Sequence, residues 1–496
     1  MVDVSSEEEC DGGDLNDATC ESLGYHGGLL ACDSQCRLVL NDCILEGQCG
    51  DGTVQIGYGE ACDGTNIMGN TCQTLGYYGG ILTCDSQCRY LLDDCVSIGQ
   101  CGDGMIQSEY GETCDGTDLD GSTCIVLGYN SGTLACSSQC SLDTSLCRRN
   151  YLAITAGAYH GCAIQFGGYL WCWGENSSGS LGLADNVSRN VPTQVGTANQ
   201  WDKVSAGNAY TCAIKSDRSL WCWGENAYGQ TGIGNYTNTN FPIQVGADTD
   251  WALLSSGQVH TCGRRTNGTL WCWGRNVHGQ LGTGNTTIRS SPIQVGADTD
   301  WAQVSAGNEV TCGVKTGGSL WCWGRNNYGQ LGVGESPDQL VPIQVGTDMN
   351  WATVSAGNVH VCALRTTGTL WCWGHNGYGQ LGLGDNTNRD LPVQVGAFSN
   401  CSHVSARNNH TCAVQSTGNL WCWGENSSGQ LGTGDTTTSY VPLQVGTVNQ
   451  WDKASAGSLH TCAMRSDGSL WCWGQNTYGQ LGTGDNIPTH IPVQLH

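Results

Sequence analysis

The sequence predicts an all-β fold: a seven-bladed β-propeller over residues 151–496, preceded by a disulfide-rich, mostly irregular N-terminal repeat arm. Three observations lead there. Trp-Cys-Trp-Gly recurs at Trp171, Trp221, Trp271, Trp321, Trp371, Trp421 and Trp471, always 50 residues apart. A fixed period of that length marks a repeat architecture, in which each unit buries its faces only against its neighbours. Each period also holds four short β-type runs, the content of one propeller blade. Seven copies are expected to close a ring rather than form an open stack.

The repeat from Trp351 to Gly396 shows how each element is read. Val359-His360-Val361-Cys362-Ala363-Leu364 is an apolar run, Arg365-Thr366-Thr367-Gly368 a turn, and Thr369-Leu370-Trp371-Cys372-Trp373 a second run. Two such runs joined by three or four residues containing Gly form a hairpin. With Thr366-Thr367-Gly368 as its loop, Leu364 faces Leu370 and Cys362 faces Cys372. Cys362, Leu364, Leu370 and Cys372 then share one face of the sheet, and Val361, Ala363, Trp371 and Trp373 the other. Neither face is polar, so both must be buried between neighbouring blades. Pro392-Val393-Gln394-Val395 reads as an edge strand opened by its proline. Trp351–Gly357 supplies the fourth strand, whose Ser-Ala-Gly lets backbones approach closely.

Two cysteines sit ten residues apart in every repeat: Cys162/Cys172, Cys212/Cys222, Cys262/Cys272, Cys312/Cys322, Cys362/Cys372, Cys412/Cys422 and Cys462/Cys472. Opposed Cβ atoms stand roughly 4.5–5.5 Å apart, slightly more than a disulfide wants, so a cross-strand bond is feasible though strained. Buried thiols packing as small hydrophobes are the alternative. Trp201, Trp251, Trp301, Trp351 and Trp451 share one repeat position with Tyr151 and Cys401. Cys401 thus replaces a large side chain and is expected as a free, partly buried thiol. Tyr151 has no Pro-x-Gln-Val run before it, whereas Ile491-Pro492-Val493-Gln494-Leu495 ends the chain with one. That last run is therefore expected to close the ring against the first blade.

Together, Trp-x-x-Val-Ser-Ala-Gly, Gly-x-Leu-Trp-x-Trp-Gly-x-Asn-x-x-Gly-Gln-Leu-Gly-x-Gly and Pro-x-Gln-Val-Gly resemble the regulator of chromosome condensation repeat, from Tyr151 to His496. The resemblance implies a seven-bladed propeller, in agreement with the count. The family's best-known members exchange nucleotide on a small nuclear GTPase and bind nucleosomes. This chain has disulfide spacing, an acidic arm and no basic tail for DNA, so that activity is not expected here. Plant ultraviolet receptors of the same fold carry Gly-Trp-Arg-His-Thr where this chain has Gly357-Asn358-Val359-His360, so their light-sensing tryptophans are absent. Secreted bacterial propellers, β-lactamase inhibitors among them, bind a protein with one face.

The arm differs in composition. Residues 1–147 hold 24 acidic and 2 basic side chains, a net of −22, against 20 and 17 in residues 148–496, a net of −3. Cys49-Gly50-Asp51-Gly52 returns 52 residues later as Cys101-Gly102-Asp103-Gly104, which delimits units 1–47, 48–99 and 100–147. These resemble cysteine-rich repeats of bacterial secreted and surface proteins. A full unit carries Cys49, Cys62, Cys72, Cys84, Cys88 and Cys95. With few large apolar residues, cross-links must hold it, and the 15 possible pairings stay open. Zinc is a poor rival because paired Cys-x-x-Cys knuckles are missing. The first unit lacks its opening cysteine, which is expected to leave Cys10 without a partner. Met1-Val2-Asp3-Val4-Ser5 has no apolar signal core and reads as a truncation inside a repeat. Arg148-Arg149-Asn150 is a short joint between the halves. No apolar run is long enough to cross a membrane.

Chemistry has few footholds. Ser-His-Asp constellations, helical metal motifs and phosphate loops are absent. His160, His260, His360, His410 and His460 fill one repeat position that Tyr210 and Val310 fill elsewhere, which argues for a structural role. No cofactor is expected. Asp115-Gly116-Thr117-Asp118-Leu119-Asp120-Gly121, echoed by Asp63 with Asn66 and Asp11 with Asp14, is the loose candidate for calcium, against solvated turns. The residue after Trp-Cys-Trp-Gly varies: Glu175, Glu225, Arg275, Arg325, His375, Glu425, Gln475. Blades three to five are thus basic or His and the rest acidic or neutral, two arcs of one candidate binding face. Lys215, Arg265, Lys315, Arg365 and Arg465 make the opposite side more uniformly basic. The expectation is a non-enzymatic extracellular or cell-surface protein that recognises a protein or glycan through that face. A secreted enzyme inhibitor and a carbohydrate-active enzyme with its site in the channel are the alternatives. Nucleic acid is not an expected partner.

Overall fold

The computed structural model describes residues 9–46, 48–127, 131–144, 146–148 and 150–495. The N-terminal pentapeptide and Arg149 of the joint lie outside them. The chain forms two compact units, with the main division between Cys147 and Arg148 and Ser131 grouped with the second. No helix among the described residues is long and apolar enough to cross a membrane.

The larger unit is a propeller of seven four-stranded antiparallel sheets. Blade five consists of Trp351–Ala356, His360–Arg365, Leu370–Gly374 and Arg389–Gln394, in that order across the sheet. Cys362 lies opposite Cys372 and Leu364 opposite Leu370, the register set by the short turn. The two faces separate as the alternation requires. Cys362, Leu364, Leu370 and Cys372 pack against Val404, Ala413 and Trp423 of blade six. Val361, Ala363 and Trp373 pack against Val310, Cys312 and Leu320 of blade four. Every core is therefore shared between two blades, and no blade has one of its own.

The opposed cysteines are bonded within each blade. The pairs are Cys162–Cys172, Cys212–Cys222, Cys262–Cys272, Cys312–Cys322, Cys362–Cys372, Cys412–Cys422 and Cys462–Cys472, and in all of them the Cα atoms stand 4.1 Å apart. The Cα atoms lie closer than the roughly 4.5 Å of the nearer class of ladder pair. The reason is that a sulfur–sulfur bond of about 2 Å draws the strands together where no bulky pair holds them apart. Cys172, Cys222, Cys272, Cys322, Cys372, Cys422 and Cys472 are fully buried, as are their partners. These fourteen cysteines brace the cores between blades and belong to no exposed site.

Two rings of hydrogen bonds accompany this packing. The second tryptophan of each Trp-Cys-Trp-Gly donates its indole N–H to a carbonyl of the preceding blade, as Trp423 does to Gln380 (2.9 Å) and Trp173 to Gln480 (3.0 Å). The glycine two residues beyond that carbonyl has positive φ, and a Cβ there would strike the indole: at Gly382 it would lie 2.7 Å from Nε1 of Trp423. Around the axis, the hydroxyl of Thr155 accepts Ala206 N–H (3.0 Å), and the serines at the same position of later blades do likewise. Ser455 accepts Ala156 N–H (2.8 Å) and completes the circle. Inner-strand N–H groups that would otherwise face the channel unpaired are thereby satisfied.

The ring does not close through its last strand. Thr489–Gln494 pairs with Leu470–Gly474 of its own blade, because each blade starts at its inner strand and is complete within one period. Closure comes from face packing together with hydrogen bonds between blades seven and one, such as Tyr151 N–H to the Gly468 carbonyl (2.9 Å). Tyr151, Ala163 and Trp173 of blade one meet Cys462, Leu470, Leu481 and Leu495 of blade seven.

The recurrent histidine is a strut between blades. His260, His360 and His410 are fully buried, and each bonds through Nε2 to the Thr hydroxyl of the next blade at 2.8–2.9 Å. Where His gives way to Val310, the facing threonine gives way to Val361, so neither polar group is stranded. Burial holds these imidazoles far below their usual pKa, to about 4 for His260 and about 3 for the other four.

In the arm, each unit is a few short turns around its cross-links, three in each of the full units and two in the first. Of the 15 pairings, the second unit takes Cys49–Cys88, Cys62–Cys84 and Cys72–Cys95, and the third repeats them as Cys101–Cys140, Cys114–Cys136 and Cys124–Cys147. The first has Cys10–Cys32 and Cys20–Cys43. This corrects the expectation for Cys10. The missing opening cysteine belongs to the series that pairs with the fifth position, the place of Cys36, not with the second. Asp63, buried, accepts N–H from Gly50, Gly52 and Thr53, which explains why Cys-Asp-Gly follows Cys-Gly-Asp-Gly. Asp115 does the same for Gly104 and Met105, and Asp118 caps Asp120 N–H in a turn. The proposed calcium oxygens at these positions are thus directed at backbone donors. The tightest clusters of metal-ligand types, such as Cys49, Asp63 and Cys88, include a disulfide whose sulfurs are not thiolates.

Candidate interaction face

In every blade the loops after the first and third strands emerge at the same end of the propeller. The longer one is built around a buried asparagine. Asn376 takes Leu381 N–H on Oδ1 (3.0 Å) and donates to the Asp385 carbonyl (2.8 Å). Gln380 Oε1 then fixes the backbone N–H of Tyr378 at 2.9 Å. The loop tip is held before any partner arrives.

The tip carries a feature the sequence reading passed over. Tyr228, Tyr328, Tyr378 and Tyr478 occupy one repeat position, with His278 in blade three, and Tyr159 joins them from a first loop. These five tyrosines are 36–45% exposed. Tyr328 meets His375 of the next blade edge-on at 4.9 Å, and Tyr478 meets Tyr159 at 5.6 Å. The repeat position was legible, since Asn-x-x-Gly-Gln surrounds it in six of the seven blades.

The charged residues between them include a carboxylate outside the two arcs read from the sequence. Glu309, buried at the tip of a first loop, binds Arg275 (2.8 Å) and Arg325 (2.6 Å) and stands 3.6 Å from His278. One carboxylate thus offsets part of the positive charge of blades three and four. The acidic side is real: burial, and then the Glu175 carboxylate, raise the pKa of Glu225. Glu425 accepts from Asn409 (3.0 Å), Gln475 lies 3.4 Å from Gln480, and burial lowers the pKa of His375.

The basic residues at the opposite end have a structural occupation. Arg365 lies over Trp351 and Trp371, 5.0 and 4.1 Å from the ring centroids, and pairs with Asp348 at 2.6 Å. Lys215, Arg265, Lys315 and Arg465 cover tryptophan pairs in the same way. They close blade edges and leave less free charge than their number implies.

Blade six breaks the pattern. Cys401 forms no disulfide, is buried, and has its pKa pushed up to about 12 by that burial. Phe398, three residues earlier, supplies the missing ring and meets Trp421 at 5.4 Å and Trp423 at 6.2 Å.

A disulfide-laced seven-bladed propeller with a preorganised loop face is thus the class of protein at hand. Its repeats belong to the regulator of chromosome condensation (RCC1) family: the RCC1-like domain matches residues 254–496, and RCC1 repeats match 167–214 and 217–263. Human WBSCR16 is similar in structure at a TM-score of 0.60 and 21% identity, over 66% of this chain and 94% of that one. Prp20p of Saccharomyces cerevisiae gives 0.60 and 20%, over 70% and 87%. At that identity the likeness shows the fold. The collagenic tail peptide of acetylcholinesterase from Torpedo marmorata is 35% identical over 105 residues, 21% of this chain and 17% of that protein.

Proposed function

We propose that this is an extracellular or cell-surface binding protein, without catalytic activity of its own, whose loop face recognises a protein partner. The observation that carries the reading is the ring of exposed tyrosines on loops fixed by buried asparagine and glutamine. Tyrosine gives large, rigid contact area at low entropic cost, and preorganised loops lose little freedom on binding. The disulfides of both units favour an oxidising compartment. Yeast Prp20, a propeller of this family, is described bound to Kap60 and in its binding to Gsp1p and histones, which supports protein recognition as the general use.

The test is capture from the protein's native medium, with wild type compared against Y228S/Y328S/Y378S/Y478S. A specific partner should be retained by wild type and lost by the variant. Lys453→Ser, at the exposed opposite mouth, should leave capture unchanged. The reverse pattern would move the binding surface to the other end.

A further inference from the structure

Arg407 stands where six blades carry glycine: Gly157, Gly207, Gly257, Gly307, Gly357 and Gly457. At Gly257 and Gly307 an added Cβ would lie 2.2 Å from the carbonyl oxygen of the next blade's glycine, so the position normally admits no side chain. In blade six the inner strand runs one residue longer, to Arg407, and the side chain reaches across the channel. Nη1 donates to the carbonyls of Ala156 (3.2 Å) and Ala206 (2.9 Å), in blades one and two. Nε and Nη2 are shielded and have no hydrogen-bond partner; Arg407 is the one described arginine with two such nitrogens.

Arg407 borders a cavity of about 140 Å³ on the axis, at the end that carries the tyrosine loops. That is room for several waters. Its wall is the ring of Thr155 and its serine equivalents, with Gln258 and Asn358 at the rim. Each ring hydroxyl accepts an N–H from the next blade, and its own proton goes to no protein acceptor among the described residues. No Asp or Glu lines the cavity. The site therefore offers hydroxyl donors and one cation, with no carboxylate to neutralise it. Burial lowers the guanidinium to about 10, which leaves it charged at neutral pH.

We propose that this channel mouth binds a small oxyanion of carboxylate or phosphate type, held by Arg407 and the hydroxyl ring. The Nε–H and Nη2–H of an arginine are parallel and match two oxygens of such a group. A rotation of the terminal side-chain torsions turns that edge from the wall into the cavity, while the hydroxyls supply donors from the sides. The inference is independent of the tyrosine face. The anion comes either free in solution or as an acidic side chain reaching in from a partner.

The experiment is calorimetric titration of the intact protein with acetate, inorganic phosphate and N-acetylglutamate amide, chloride being exchanged to hold ionic strength constant. Wild type should bind at least one of the three saturably. Binding of acetate or phosphate points to a free ion, and binding of the glutamate amide alone to a partner's side chain. Arg407→Gly, the residue six blades already use, should weaken binding at least tenfold, and Arg407→Lys should lie between. No binding by wild type, or equal binding by Arg407→Gly, would reduce Arg407 to a tie between blades and overturn the proposal.

Discussion

The propeller and the arm both carry cysteines at fixed repeat positions, and the two units use them differently. In the propeller the largest fully buried side chains are tryptophans, and each Cys pair bridges two strands already joined in one ladder. In the arm a core such as Cys72, Leu82 and Cys95, edged by Leu75, Tyr77 and Tyr90, is small, and the cross-links span 22–39 residues. A bridge over 39 residues removes about 4 kcal/mol of unfolded-chain entropy, one over ten about 2–3. Disulfides add to a core in one unit and stand in for it in the other. Acid should break the propeller first, and reductant the arm.

The largest effect should come with acid. The recurrent histidines are neutral in the fold, with pKa about 3 to 4 against about 6.5 in an unfolded chain. Below pH 6.5 the unfolded chain binds more protons, so stability is complete above that pH and lost as pH falls toward 4. One pH unit is worth about 1.4 kcal/mol per histidine, so five of them withdraw on the order of 10 kcal/mol by pH 5. Calorimetry from pH 7 to 4.5 should show the propeller's melting temperature falling steeply while the cross-linked arm changes little.

Removing a shared side chain comes next. Trp373→Ala should cost about 3–5 kcal/mol, because both blades four and five lose the indole. Chemical denaturation followed by tryptophan emission would measure it. Cys49→Ala with Cys88→Ala should cost about 4 kcal/mol and unfold its repeat, whereas Cys362→Ala with Cys372→Ala should cost about 2–3 and leave the blade folded. Equal behaviour of the two pairs would erase the distinction.

The smallest change is also the sharpest. His360→Val with Thr411→Val copies the natural Val310–Val361 pair. It should alter stability at pH 7 by no more than about 1 kcal/mol, since both polar partners leave together. It should also remove one histidine's share of the acid sensitivity.

Much of the propeller was legible because its rules are local. A three-residue hairpin loop sets Cys362 against Cys372, and tolerance of Val310 marks the histidine position as structural. The unread parts depend on contacts between repeats or on single exceptions. Glu309 sits at a position filled elsewhere by Tyr159, Ala209, Val259, Val359, Asn409 and Leu459, so nothing in the spacing shows that it bridges Arg275 and Arg325. Phe398 replaces the ring missing at Cys401 from a different repeat position. Arg407 was visible as Ser405-Ala406-Arg407 in place of Ser-Ala-Gly, but only the closed ring shows that the glycine position faces the channel. In the arm the pairing is set by three-dimensional approach, which six cysteines in a row do not encode.

The contrast between the two units is tested most directly by reductive proteolysis. Every tryptophan lies in the propeller, and Arg37 and Arg89 are the basic residues of the arm before residue 148, so each unit reports on itself. With rising reductant, trypsin should cut at Arg37 and Arg89 while tryptophan emission stays native, alkylation mass recording which thiols have opened. Emission shifting to its unfolded value at the reductant concentration that exposes Arg37 and Arg89 would contradict the account, because both units would then depend on their disulfides alike.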